Sequence, residues 1–226
     1  MTTILSAFEL RTLPGLWRWH ADTARQLAFN AKNMEEAMLW QTALRDTLRR
    51  LLGGFPPDRC ALDVQTIETV EEEAFTRELL VFQSSPGEYV PCYVLIPRRA
   101  SPPYRPVIAL HGHSSSPHQL IGLARDDLER DQIRTQNLAY ARALVEQGYL
   151  VFVPGQRGIA DRMEDPAFRD PAHALWMNTC HMAGMNALLC GQTLLGLRVW
   201  DVMRLIDTIA TRSEPLRGAL GCVGLS

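Results

Sequence analysis

Apolar side chains recur at three- and four-residue spacing over residues 22–52, a pattern typical of one long amphipathic helix or two short ones. Gly53-Gly54 and Pro56-Pro57 end this pattern, because glycine can cap a helix and proline cannot continue one. Three stretches rich in Val, Ile, Thr and Phe follow. They predict antiparallel strands at one edge of a sheet, over residues 64–70, 75–83 and 89–96.

The second half of the chain alternates between buried strands and amphipathic helices. Uninterrupted apolar runs at 106–110 and 150–153 predict strands covered on both faces, and the helical pattern at 138–147 between them predicts a parallel, right-handed crossover. A helix over 193–211 and a strand over 219–225 complete the pattern. The predicted fold class is therefore α/β, with a mostly parallel sheet, antiparallel N-terminal edge strands and an N-terminal helical segment.

Two connections exceed the usual short loop, residues 112–137 and 155–192, and each follows the C-terminal end of a predicted strand. Ligands in open α/β sheets bind at that edge, so a functional site is expected there. The expected domain arrangement is a helical segment, residues 1–60, that packs on an α/β core, residues 61–226.

The amino-acid composition limits the classes of binding partner that are expected. The 226 residues are 46% hydrophobic, enough for one sizeable core, and 23 basic against 25 acidic residues give a net charge of -2. Nucleic acid and membranes are therefore not expected partners. The first residues show no signal-peptide pattern, which predicts a cytoplasmic protein. The five cysteines form no Cys-x-x-Cys pair, so we expect buried free thiols, Cys222 in the last strand among them, and no zinc site.

The last predicted strand runs into a Gly-x-Ser sequence at residues 224–226. Small flanking residues are needed where a serine is presented on a sharp turn after a strand, so this sequence is the first half of a nucleophile elbow. Upstream, the strand at 106–110 ends in His111-Gly112, and the following N–H, that of His113, can point to a developing oxyanion. Both features are expected at the same edge of the sheet.

Four segments extend this pattern: V-I-A-L-H-G-H at 107–113, G-Y-L-V-F-V-P-G-Q-R-G at 148–158, G-Q-T-L-L-G-L-R-V-W-D at 191–201 and G-C-V-G-L-S at 221–226. In order and spacing the chain resembles the α/β-hydrolase superfamily, and within it the dienelactone-hydrolase-like and acetyl-xylan-esterase-like serine esterases. The resemblance implies a carboxylic ester hydrolase that acts on a small-molecule ester through an acyl-enzyme. It calls for no metal or organic cofactor, and it leaves a homo-oligomer open.

The resemblance also implies roles for individual residues. Ser226 would be the nucleophile, and the N–H of His113 would be one oxyanion-hole donor. The pocket would be lined by His111, Gly112, Arg157, Gly158, Gly224 and Leu225. In this superfamily the triad follows the order Ser, then Asp or Glu, then His. The acid and the base are therefore expected beyond Ser226, in a parent enzyme of which this chain is the N-terminal part.

Other interpretations remain open at this point. The chain could be a catalytically inactive, truncated hydrolase-fold protein that acts in binding or as a relic. His173 or His181 could supply a base from within the chain, and His111, His113 and His118 could form a metal cluster, although loop residues around an oxyanion turn fit their spacing better. A dinucleotide-binding site is excluded, because neither buried strand is followed by G-x-G-x-x-G.

Overall fold

A computed structural model describes residues 10–164 and 178–226 of the chain. It divides into two compact units, Met1–Arg50 and Leu51–Ser226. The predicted packing of residues 1–60 on the core stays a prediction. In the described residues no helix is both long enough and apolar enough to cross a membrane.

The first helices are α1 (Thr12–Asp22) and α2 (Met34–Leu51). Helix α1 was not predicted. Over residues 22–52 the sequence predicted one long helix or two short ones, and the structure has one helix there, which begins at Met34. Helix α2 begins there because the Asn33 side chain accepts the Glu36 N–H at 2.9 Å, as an N-cap residue does. Pro14 and Gly15 obscured α1 in the sequence, but proline is tolerated in the first turn of a helix.

Six strands form one sheet in the order β1-β2-β3-β5-β4-β6. Strands β1 to β3 pair antiparallel, β3 also pairs antiparallel with β5, and β4 pairs parallel with both β5 and β6. The predicted antiparallel edge group and the parallel crossover are confirmed. The strands are β1 (Gln65–Glu71), β2 (Phe75–Ser85), β3 (Glu88–Pro97), β4 (Pro106–Leu110), β5 (Leu150–Pro154) and β6 (Gly221–Gly224).

Helices cover both faces of the sheet. On one face, Leu205 and Ile209 of the long helix before β6 pack in a cluster with Phe82 and Phe152. On the other face, Val145 packs in a second cluster with apolar residues of β3, β4 and β5. The helices of this unit are α3 (Pro117–Leu120), α4 (Asp127–Gln136), α5 (Tyr140–Glu146), a 3-10 turn (Ala160–Arg162), α6 (Cys180–Leu189) and α7 (Leu194–Thr211).

The last strand corrects one prediction. All five cysteines are free, but Cys222 and Cys190 are exposed and not buried. Within the described residues β6 pairs only with β4, and every residue of it is exposed to solvent. Apolar side chains in a strand indicate burial only when other elements cover the strand, and no described element covers β6. Of the five thiols, Cys92 in β3 is fully buried.

Candidate functional site

Strands β4, β5 and β6 run parallel, so the segments that follow them meet at one edge of the sheet. The segment after β4 begins at His111, the segment after β5 begins at Gly155, and β6 leads to Ser226. The order β5-β4-β6 places the segment after β4 between the other two. This is the edge at which open α/β sheets bind ligands.

Ser226 lies on a tight turn at this edge. Its φ is +78°, in the left-handed region that a residue with a side chain seldom adopts. The turn begins beside β4, where the Leu225 N–H donates to the Leu110 carbonyl oxygen at 3.4 Å. A strained conformation after a strand is what a nucleophile elbow requires, because it presents the serine hydroxyl above the sheet.

Gly112 packs directly against this turn. A Cβ atom at Gly112 would lie 3.0 Å from the Leu225 carbonyl oxygen and 3.3 Å from Ser226 Cβ. Both distances are shorter than most Cβ contacts, so a side chain here would have to push Leu225 and Ser226 aside, and glycine avoids this displacement. The loop predicted to supply the oxyanion donor and the predicted nucleophile are therefore in contact.

The loop after β4 is held by its own hydrogen bonds. The Gly112 N–H donates to Ser115 Oγ at 3.0 Å, and the Ser115 N–H donates to the Gly112 carbonyl oxygen at 3.3 Å. Among the described residues no hydrogen bond occupies the N–H of His113, which is exposed at the end of the loop. A cavity of about 120 Å³ borders His113, with Ser116 and Gln119 among its lining residues.

The His111 side chain is 3% exposed and lies between the segments after β4 and β5. Its Nε2 accepts the Gln156 N–H at 3.1 Å, and its Nδ1 lies 3.0 Å from the Gly112 carbonyl oxygen. The Gln156 side-chain amide donates in turn to the His111 carbonyl oxygen. Burial lowers the pKa of His111 from 6.5 to about 4, so the imidazole is neutral near pH 7.

Arg157 takes part in a cluster of buried charges behind these segments. It donates to both carboxylate oxygens of Asp201 at 2.9 and 2.8 Å, and to Glu88 at 2.7 Å. Arg162 donates to the same Asp201 at 2.6 Å. Burial by itself would raise the pKa of Asp201, but the hydrogen bonds and charges of Arg157 and Arg162 outweigh it and hold that pKa below its usual value.

Gly158 follows with a φ of +77°. A Cβ atom there would lie 3.1 Å from the Cys180 backbone nitrogen, so α6 approaches the segment too closely for a side chain. Arg198 of α7 adds a further tie, because its guanidinium donates to the Arg157 carbonyl oxygen at 2.6 Å. The segment after β5 is therefore anchored to α6 and α7.

The structure brings some predicted site residues together and separates others. Gly112 packs against Leu225 and Ser226, and Gly224 lies against Leu110 of β4. The His111 side chain contacts Gly112 and Gln156, and the Arg157 side chain is engaged by Asp201 and Glu88. Gly158 packs against Cys180.

The histidines proposed as alternatives have other surroundings. His118 Nε2 lies 3.7 Å from the Asp161 carboxylate, His181 is exposed on α6, and His173 lies outside the described residues. Within the described ranges, no group of three or more His, Cys, Asp or Glu side chains could hold a metal ion.

Gln156, Ser115 and Asp201 were not predicted from the sequence as site residues. Asp201 had a detectable signal, because it falls on the apolar face of α7, four residues after Leu197 and four before Leu205. An acidic residue on such a face indicates a buried ion pair. Gln156 and Ser115 carry no such signal, since their partners are distant in sequence or are backbone groups.

No protein-family model matches the chain. A putative acetyl xylan esterase from Bacteroides fragilis NCTC 9343 superposes with a TM-score of 0.80 at 17% identity, over 97% of this chain and 55% of that one. The chain has the α/β-hydrolase fold. A glucuronoyl esterase from Solibacter usitatus shares this fold less closely, with a TM-score of 0.53 at 16% identity, over 84% of this chain and 53% of that one.

One curated relative is also similar in sequence to this α/β-hydrolase-fold chain. It is named "Putative hydrolase YtaP", from Bacillus subtilis (strain 168), and it is 24% identical over 185 residues. The match covers 80% of this chain and 55% of the relative. The chain thus spans about half the length of the relative and of the solved structures that it resembles.

Proposed function

We propose that this chain carries the nucleophile and one oxyanion donor of a serine carboxylic ester hydrolase. One observation carries the proposal: Ser226 follows β6 at a φ of +78°, and the Gly112 backbone of the oxyanion loop packs against it. The neighbours with the same fold are esterases by name, which supports a small-molecule ester as substrate.

In this mechanism Ser226 Oγ attacks the ester carbonyl carbon and its proton passes to a general base. The carbonyl oxygen becomes an oxyanion, which accepts a hydrogen bond from the His113 N–H. The C–O bond to the alcohol then breaks, the alcohol leaves with the proton, and an acyl-enzyme remains for water to hydrolyse. We infer that the acid and base lie outside residues 1–226. The chain spans about half the length of the proteins that it resembles, which supports this inference.

Fluorophosphonate labelling of the natively expressed protein tests the proposal, with intact mass as the readout. We expect one label per molecule on Ser226, no label on Ser226→Ala, normal labelling of Ser101→Ala at an exposed site, and a mass above 25.4 kDa before labelling. A protein of 25.4 kDa that takes no label would overturn catalysis by this chain and favour the binding or relic interpretation. Cytoplasmic location and oligomeric state stay predictions.

A further inference from the structure

The oxyanion donor proposed here belongs to the peptide group that joins Gly112 to His113. We propose that His111 is a positioning residue: by donating from Nδ1 to the Gly112 carbonyl oxygen it fixes the direction of the His113 N–H, and Gln156 holds His111 in the required tautomer. The inference rests on the proposed function, because it concerns the same site.

Peptide geometry links the two ends of this group. In a planar trans peptide the carbonyl and the N–H point in opposite directions, so a fixed Gly112 carbonyl oxygen fixes the His113 N–H. The oxygen is fixed from two sides, by His111 Nδ1 at 3.0 Å and by the Ser115 N–H at 3.3 Å. Without these bonds the peptide would rotate readily, because glycine restricts its own backbone least.

Gln156 determines which imidazole nitrogen carries the proton. A backbone N–H can only donate, so the Gln156 N–H at 3.1 Å requires a lone pair on His111 Nε2. The proton of the neutral ring is then on Nδ1, which can donate to Gly112. The Gln156 side chain also holds the His111 backbone through its carbonyl oxygen. Gln156, in the segment after β5, therefore fixes both the position and the tautomer of His111.

The hydrogen bonds to the Gly112 carbonyl oxygen also make the His113 N–H a stronger donor. Hydrogen bonds to the carbonyl end of a peptide polarise it, and a polarised peptide donates more strongly through its N–H. The Gly112 carbonyl oxygen accepts three such bonds, from His111 Nδ1, the Ser115 N–H and, at 3.4 Å, the Ser115 hydroxyl, while no described partner occupies the His113 N–H at the other end. The peptide is thus prepared to stabilise negative charge as it develops.

The first test is independent of activity and uses NMR on the natively expressed protein. We expect the wild-type His111 ring to be the Nδ1–H tautomer. His111→Leu removes the donor and should shift the His113 amide resonance, whereas His111→Asn, whose amide nitrogen can take the place of Nδ1, should restore it. An Nε2–H tautomer, or a His113 resonance that His111→Leu leaves unchanged, overturns the inference.

The second test measures ester hydrolysis by the natively expressed protein with p-nitrophenyl acetate. Loss of an oxyanion donor lowers kcat about 100- to 1000-fold, so a misdirected donor in His111→Leu should lower kcat about 10- to 100-fold with KM nearly unchanged. His111→Asn should recover most of this loss, and His20→Asn, an exposed control, should match wild type.

The outcomes of the second test are separable. A kcat that is unchanged per folded molecule of His111→Leu overturns the positioning role. A loss of activity that only follows a loss of folded protein, without rescue by His111→Asn, also overturns it. A wild-type protein that neither hydrolyses the ester nor takes the fluorophosphonate counts against the proposed function, and the NMR result still decides the role of His111.

Discussion

Acidification should unfold this protein partly through His111. The ring is 3% exposed and its Nε2 accepts the Gln156 N–H, so protonation there places a charge in a buried site and removes an acceptor from Gln156. Burial is the main reason that the pKa of His111 is lowered to about 4, and the positive charge of Arg198 adds to the effect. The perturbation to apply is a change from pH 7 to pH 4.

The size of the effect follows from linkage. In the unfolded chain His111 binds a proton below its ordinary pKa of 6.5, whereas in the folded protein it resists protonation until about pH 4. The unfolded state therefore binds more protons in this interval, and stability falls as the pH falls. At about 1.4 kcal/mol per pH unit, the interval corresponds to about 3 kcal/mol of lost unfolding free energy.

The assay is urea unfolding, followed by far-UV circular dichroism, at several pH values from 7 to 4. Wild type and His111→Asn are compared, because the other titrating groups are common to both and cancel in the difference. At pH 7 the variant is expected to be less stable by about 1–3 kcal/mol, since the buried Gln156 N–H loses its acceptor. Wild type should lose about 3 kcal/mol more than the variant by pH 4. Parallel pH profiles would refute the reasoning.

Three further predictions concern packing and charge. Gly112→Ala should lower the unfolding free energy by about 1–3 kcal/mol and abolish fluorophosphonate labelling, because its Cβ would lie 3.0 Å from the Leu225 carbonyl oxygen. The control Gly184→Ala lies inside α6, and its Cβ would meet its nearest neighbour at 3.9 Å. It should leave labelling unchanged and raise the unfolding free energy by up to about 1 kcal/mol in the same urea unfolding and mass measurements. Asp201→Asn removes the buried carboxylate that pairs with both Arg157 and Arg162 and leaves Arg157 only the half-exposed Glu88, so it should cost about 3–5 kcal/mol in urea unfolding. Glu88→Gln removes that half-exposed partner and should cost less than about 1 kcal/mol. Leu205→Ala opens a fully buried site under the sheet and should cost about 2–5 kcal/mol by the same measurement, and a cost under 1 kcal/mol would contradict the assignment of this core.

The spacing of apolar residues predicted most of the strands and helices, because these elements bury their apolar side chains against other described elements. The runs at 106–110 and 150–153 become β4 and β5, and the pattern over 193–211 becomes α7 with Thr193 as its N-cap. The prediction of burial was wrong for β6, because no described element covers that strand. Residue Cys222 lies in an apolar run, yet it is exposed, because no described element covers β6.

The candidate site, like the fold, was predicted only in part from the sequence. Short motifs pointed to Ser226 and to the loop that begins at His111, and the structure brings Gly112 of that loop against Ser226, a close backbone approach that glycine favours. The residues that orient the loop could not be located, since Gln156 and His111 are 45 positions apart and their bond is largely to backbone. Backbone partners leave no trace in residue type.

The position of β4 explains why one short loop can meet both requirements of the proposed reaction. Because β4 lies between β5 and β6, the residues that follow it contact Gln156 on one side and Ser226 on the other. A loop at the edge of the parallel group would have only one of these neighbours, and its peptide groups would be fixed from one side. The strand order therefore places the loop with the proposed donor between the proposed nucleophile and the segment after β5 that holds His111.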